Sequence, residues 1–138
     1  MNVLVDTSVW SLALRRAPRN LNSEERRIVD ELKELINDGR ARIAGIVRQE
    51  VLSGIKSHDQ FLKLREILRA FPDEPLASAD YEHAAEIGNR CRSRGLAVST
   101  VDMLLCSVAH SHDWAIFSTD PDFKRYASVF SFSLHSPR

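Results

Sequence analysis

The sequence predicts a three-layer α/β/α sandwich around a central, mainly parallel sheet, and two observations carry that expectation. Short apolar runs alternate with segments of helical periodicity, and parallel strands need crossover connections of the kind such helices supply. Two of the runs, Val3 to Val5 and Ala115 to Phe117, are followed at once by small polar residues and an aspartate, after which a helical pattern starts. Ligands of open parallel sheets bind beyond the carboxyl ends of the strands. The pattern that predicts the fold therefore also predicts where a site lies.

Taken in order, Val3 to Val5 reads as a buried strand that feeds a helix through Asp6-Thr7-Ser8. From Ser23 to Asp38 the apolar residues Ile28, Leu32, Leu35 and Ile36 recur at helical spacing, with Ser23 able to cap the start and Gly39 the end. Arg40 to Ala44 is a short strand, followed by a helical stretch that carries Glu50 near its start and ends by Gly54, then by a helix from His58 to Ala70. After the Pro- and acid-rich turn Phe71 to Pro75, Leu76 and Ala77 read as a brief strand. Ser78 or Asp80 caps a helix ending near Gly95, and Ser99 or Thr100 caps another through His110. Ala115 to Phe117 is a strand, Asp120-Pro121 restarts a helix, and Ala127 to Leu134 is a final edge strand. No repeat, low-complexity tract or linker divides residues 1–138, so one domain is expected.

Composition narrows the function classes. A chain of 138 residues buries roughly 68–70% of its unfolded surface, enough for one sizeable core. Its apolar fraction of 43% suits a soluble protein, and no run approaches the about 20 apolar residues that span a bilayer. Met1 to Trp10 lacks the basic region of a signal peptide, so a cytoplasmic protein is expected. Cys91 and Cys106 form no zinc-type spacing and read as buried, reduced thiols. Basic and acidic residues balance at 19 each, so a polyanion would have to be held by local patches or by metal. Arg15, Arg16 and Arg19, and Arg90, Arg92 and Arg94, are candidate RNA-binding clusters, although such runs are more often solvated helix faces. No H-E-x-x-H, phosphate-binding glycine loop or G-x-S-x-G elbow occurs.

The acids are more informative. Asp6 and Asp120 fall where strands give way to helices, and Asp102 and Glu50 sit early in helices that can bring them to the same edge of the sheet. Each has a plain explanation as a helix cap, a dipole partner or a solvated charge. Asp6 is the exception, because a carboxylate closing a buried apolar run is desolvated and needs a partner. Carboxylates gathered together repel, and Mg²⁺ or Mn²⁺, which prefers oxygen ligands and bridges phosphates, relieves that repulsion. One ion, or two about 3.5–4 Å apart, suits phosphodiester hydrolysis.

These residues resemble the PIN domain family, and in particular the VapC toxins of bacterial toxin-antitoxin pairs. Val3-Leu4-Val5-Asp6-Thr7-Ser8-Val9-Trp10 is similar to the family's opening, and Gln49-Glu50-Val51-Leu52-Ser53-Gly54 to its second acidic motif. Gly95-Leu96 leading to Asp102 and Ala109 is similar to the third, and Thr119-Asp120-Pro121-Asp122-Phe123 to a compressed fourth. The resemblance implies a Rossmann-like fold and a metal-binding set of Asp6, Glu50, Asp102 and Asp120, with Asp122 an outer contributor or the alternative to Asp120 as the fourth acid. It also implies orienting roles for the hydroxyls of Thr7, Ser8 and Thr119, for which helix capping is the other explanation. Val47 stands where relatives often carry a hydroxyl before the glutamate.

The activity implied is that of a Mg²⁺- or Mn²⁺-dependent endoribonuclease toxin that cuts structured RNA such as tRNA or rRNA, forms a homodimer and is silenced by a VapB-type antitoxin. Such an antitoxin would place a basic side chain among the acids and a helix in an apolar groove. Trp10, Leu12 and Leu14, with the helix from Ser23 to Asp38, are candidates for that groove or for the core. The alternatives are a phospho-acceptor signalling domain, disfavoured by acids spread over four segments, and a catalytically silent RNA-binding or protein-interaction module.

Overall fold

The computed structural model describes all residues from Met1 to Arg138. Four parallel strands, β1 (Val3–Val5), β2 (Ala41–Arg42), β3 (Ala115–Phe117) and β4 (Ser133–Leu134), form one sheet in the order β2-β1-β3-β4. Seven helices surround it: α1 (Thr7–Leu14), α2 (Ser23–Asn37), α3 (Gly45–Leu52), α4 (His58–Leu68), α5 (Ser78–Ser93), α6 (Thr100–His112) and α7 (Asp122–Ala127). Helix α6 lies against β1 and β3 and pairs along its length with α5, while α1 packs on α2 and α3 and α7 sits beside β4. The result is a three-layer α/β/α sandwich. No helix is long and apolar enough to cross a membrane.

The two central strands have no polar position because parallel strands covered on both faces need none. Val3, Leu4 and Val5 are fully buried, as are Ala115, Ile116 and Phe117. Their register sets Val3 beside Ala115 and Val5 beside Phe117, which brings Asp6 and Ser118 out at the same end of the sheet. The chain leaves β1 toward β2 on one side and returns to β3 on the other. This reversal is the topological switch point at which open parallel sheets bind ligands.

Several local expectations need correction. Asn22, not Ser23, caps α2: its Oδ1 accepts from Glu25 N at 2.8 Å while Glu25 Oε1 accepts from Asn22 N at 3.0 Å. Neither Ser78 nor Asp80 is the N-cap of α5, but Asp80 reaches back to accept from Ala77 N at 2.8 Å. Leu76 and Ala77 form no strand. The guanidinium of Arg48 holds the preceding turn instead, donating to Leu68 O, Phe71 O and Asp73 Oδ1, and the pairing to the sheet is one bridge between Ile43 and Asp73. The predicted strand from Ala127 to Leu134 contracts to two residues because α7 runs through Ala127. Glu50 lies in the last turn of α3, not near its start, since that helix already begins at Gly45. Ser99 does cap α6, accepting from Asp102 N at 3.0 Å, and Gly95 after α5 adopts a φ of +81°, which favours glycine.

Trp10 is core, with 1% of its surface exposed and its ring edge-on to Phe71 at 5.0 Å. Cys91 and Cys106 are both buried free thiols.

Candidate metal centre

Three elements deliver carboxylates to the switch point. Asp6 follows strand β1 as the N-cap of α1, α6 carries Asp102 in its first turn, and the segment from β3 into α7 carries Asp120 and Asp122. One oxygen from each of Asp102, Asp120 and Asp122 lies within 4.8 Å of the others. Asp6 is close enough for its charge to act on Asp102.

The protein's own donors hold these acids in a consistent way. Asp6, 7% exposed, accepts on Oδ2 from the hydroxyls of Ser8 at 2.8 Å and Ser118 at 2.7 Å. Asp120 accepts on Oδ1 from the backbone N of Asp122 at 2.9 Å. Asp122 accepts on Oδ1 from Arg125. Glu50 accepts on Oε1 from the Thr7 hydroxyl at 2.6 Å. In all four the donors fall on one oxygen, so the second is left for another ligand. Asp102 accepts from the phenol of Tyr126 on Oδ2 at 3.1 Å.

Asp102 shows the electrostatic strain of the arrangement. Burial holds its carboxyl above the ordinary value, hydrogen bonds from Tyr126 and Ser99 offset part of the effect, and the charges of Asp6 and Asp120 raise it further. Burial and the nearby acids likewise push the Tyr126 phenol and the Cys106 thiol up, so both stay protonated at neutral pH. Arg125 is the only cation paired with an acid of this group. Partly buried carboxylates that lack compensating charge, with oxygens of Asp6, Asp120 and Asp122 to spare, fit a hard divalent cation.

A cavity of about 710 Å³ adjoins the acids. Ser8, Ser118, Thr119 and Asp120 are among its lining residues, as are Leu12, Ile28 and Leu134.

The family model of the PIN domain matches residues 3–129. The chain belongs to the PIN domain family. No curated protein sequence matches it. Among solved structures this PIN domain is similar to FitAcB from Neisseria gonorrhoeae, with 21% identity over 98% of this chain and 97% of that one and a TM-score of 0.76. It is also similar to VapBC2 from Rickettsia felis bound to a DNA fragment from their promoter, with 20% identity over 98% of each chain and a TM-score of 0.72. A toxin-antitoxin complex from Klebsiella pneumoniae shares 16% identity over 99% of this chain and 98% of that one, with a TM-score of 0.70.

Of the acids singled out in this PIN domain's sequence, the structure gathers Asp102, Asp120 and Asp122, with Asp6 near Asp102 but outside that trio. Glu50 stands apart from that trio and is exposed, joined to the site through Thr7. The Thr7 hydroxyl thus supplies a hydroxyl to the glutamate where Val47, fully buried, has none. Thr119 takes part through its backbone, its N donating to Ser8 Oγ at 3.0 Å. Arg16 lines the cavity but is engaged by Glu25 at 3.2 Å, and Arg92 lies against a separate cavity between α5 and α6.

Two site residues escaped the sequence reading. Ser118 donates to Asp6 and accepts from Asp120 N at 3.0 Å, so it links two of the acids. Pairing the apolar runs in parallel would have found it, because Asp6 and Ser118 are the next residues after the partners Val5 and Phe117. Tyr126 had no local signal, since its partner lies 24 residues away on another helix.

Proposed function

We propose that this chain is a VapC-type toxin, a Mg²⁺- or Mn²⁺-dependent endoribonuclease that hydrolyses RNA phosphodiester bonds and is silenced by a VapB-type antitoxin. The observation that carries this reading is the convergence of Asp102, Asp120 and Asp122 at the switch point, next to an Asp6 fixed by two serines. When bound, a divalent cation supplies charge neutralisation for the phosphate and lowers the pKa of a water nucleophile.

The residues divide the remaining work. Asp6, Asp102 and Asp120 hold the cation, and the Ser8, Ser118 and Tyr126 hydroxyls fix the direction of those carboxylates. Asp122 joins them at the rim, where Arg125 shares it. Glu50, exposed and with Oε2 unengaged, takes the proton of the attacking water, while Thr7 holds its other oxygen. The water oxygen forms the new bond to phosphorus as the bond to the leaving ribose oxygen breaks.

The partners follow from the resemblance. The complexes formed by the similar structures support a VapB-type antitoxin, whose basic side chain would take the cation's place among the acids and whose apolar segment would lie in the cavity between Leu12, Ile28 and Leu134. The same resemblance supports a homodimer working in the cytoplasm on tRNA or rRNA.

The test is cleavage of total cellular RNA by the purified protein with Mg²⁺ or Mn²⁺, with chelator, and by the Asp6→Asn variant. Discrete fragments that need both metal and Asp6 are expected. Equal cleavage by the folded variant, or in chelator, overturns the reading, and failure to bind Mn²⁺ at all favours a silent interaction module.

A further inference from the structure

We infer that Tyr126 is a positioning residue for the candidate metal centre, its phenol selecting which oxygen of Asp102 faces the cation. The inference rests on the metal-dependent reading above and adds to it a residue outside every acidic motif. Tyr126 lies on α7, four residues after Asp122, and is 2% exposed. Its ring is held edge-on by Phe123 at 5.6 Å, and Phe123 is itself buried. The hydroxyl reaches across to α6 and donates to Asp102 Oδ2 at 3.1 Å.

That contact has three physical consequences. A carboxylate whose Oδ2 is engaged by a fixed donor cannot exchange its two oxygens by rotation without losing a buried hydrogen bond. The donor is neutral, so unlike Arg125 it fixes an acid without cancelling the charge the cation needs. The bond also ties α7, which brings Asp122, to α6, which brings Asp102, so the spacing of the acids depends on it. Groups that orient metal ligands in this way typically affect affinity by about 10–100-fold.

The experiment compares Mn²⁺ binding, by titration calorimetry and by the Mn²⁺-induced rise in melting temperature, for four proteins: wild type, Tyr126→Phe, Asp102→Asn and the double variant. Tyr126→Phe keeps the ring and its packing on Phe123 and removes only the donor. Its Mn²⁺ affinity is expected to fall about tenfold, with the metal-free melting temperature little changed. In the Asp102→Asn background the same substitution is expected to have no further effect on Mn²⁺ affinity, because the carboxylate it orients is gone. Unchanged affinity in Tyr126→Phe overturns the inference, as does an equal loss in both backgrounds, which marks a purely structural role. Wild-type protein that binds no Mn²⁺ overturns the metal-dependent reading and this inference with it. Binding by wild type with no effect of Tyr126→Phe removes this inference alone.

Discussion

Two groups of carboxylates in this molecule are withdrawn from water and answer the cost of burial in opposite ways. Glu31, on α2 and 3% exposed, is met by a cation of its own chain: Arg138 Nε reaches Oε1 at 3.0 Å while its other end holds Asp38 at 3.0 Å, and the ring of His135 bonds Oε2 through Nε2. Asp6, Asp102 and Asp120 are met only by hydroxyls and a backbone amide. A buried charge needs compensation from somewhere. At Glu31 the fold provides it and the result is a latch between the chain's last residues and α2. At the switch point the fold withholds it, and the balance falls to a ligand.

The sharpest way to break this contrast is to neutralise one acid from each group. Asp102→Asn should lower RNA cleavage at least about a hundredfold, since the cation contributes several kcal/mol of charge stabilisation, yet leave the metal-free protein as stable as wild type or more so. Glu31→Gln should do the reverse. Losing charge-assisted hydrogen bonds costs about 1.5–3 kcal/mol of folding stability, read as a lower urea midpoint, with Mn²⁺ affinity unchanged. Parallel behaviour of the two variants would show that both acids are structural.

A smaller effect sharpens the same point. The Asp102 carboxyl is held above its ordinary value of 3.8, chiefly by burial, so the folded chain keeps that proton more tightly than the unfolded chain does. Its contribution to stability is therefore full below that value and is lost as pH rises through the raised one. In chelator, the urea midpoint of wild type should decline across that window relative to Asp102→Asn, and an identical pH dependence of the two proteins would contradict the assignment.

The smallest effect concerns the one cation at the rim. Arg125 and Asp122 are both about half exposed, with side-chain exposures of 58% and 43%. Such pairs add at most about 1 kcal/mol. Arg125→Ala should leave stability nearly unchanged and tighten Mn²⁺ binding a few-fold, by freeing an oxygen of Asp122. Weaker binding would mean that Arg125 positions Asp122 instead of competing for it.

How much of this was legible in the sequence depended on whether a residue's partner was near in the chain or reflected in a pattern. β1 and β3 were legible because fully buried strands must be wholly apolar, and the acids at their ends stood out against those runs. β4 was legible as a final edge strand, but its length was not, because an exposed edge of two residues imposes no pattern on Ser133 and Leu134. The Leu76-Ala77 segment misled because apolar residues after a turn resemble a strand, whereas Arg48, about 25 residues earlier, takes the turn's hydrogen-bonding groups. Asp6 was the most readable acid. The choice between Asp120 and Asp122 was not readable, since two residues of spacing on an uncertain helix start do not fix direction, and the structure brings both to the group. Glu31 was readable in principle, an acid on the stripe of Ile28, Leu32 and Leu35, but its partners His135 and Arg138 lie more than a hundred positions away.

The pairing of β1 with β3 sets a clock during synthesis. Asp6 and Ser8 are made together, but Ser118, the second serine that fixes Asp6, follows 112 residues after it, and Asp120 and Asp122 later still. At about 5–20 residues per second, that gap lasts roughly 6–22 seconds. Throughout that time the nascent chain holds Asp6 without Ser118, Asp120 or Asp122, so the acids are not gathered. A ribosome translating this message is therefore not exposed to the gathered acids of the chain it is making until Asp120 and Asp122 have been added.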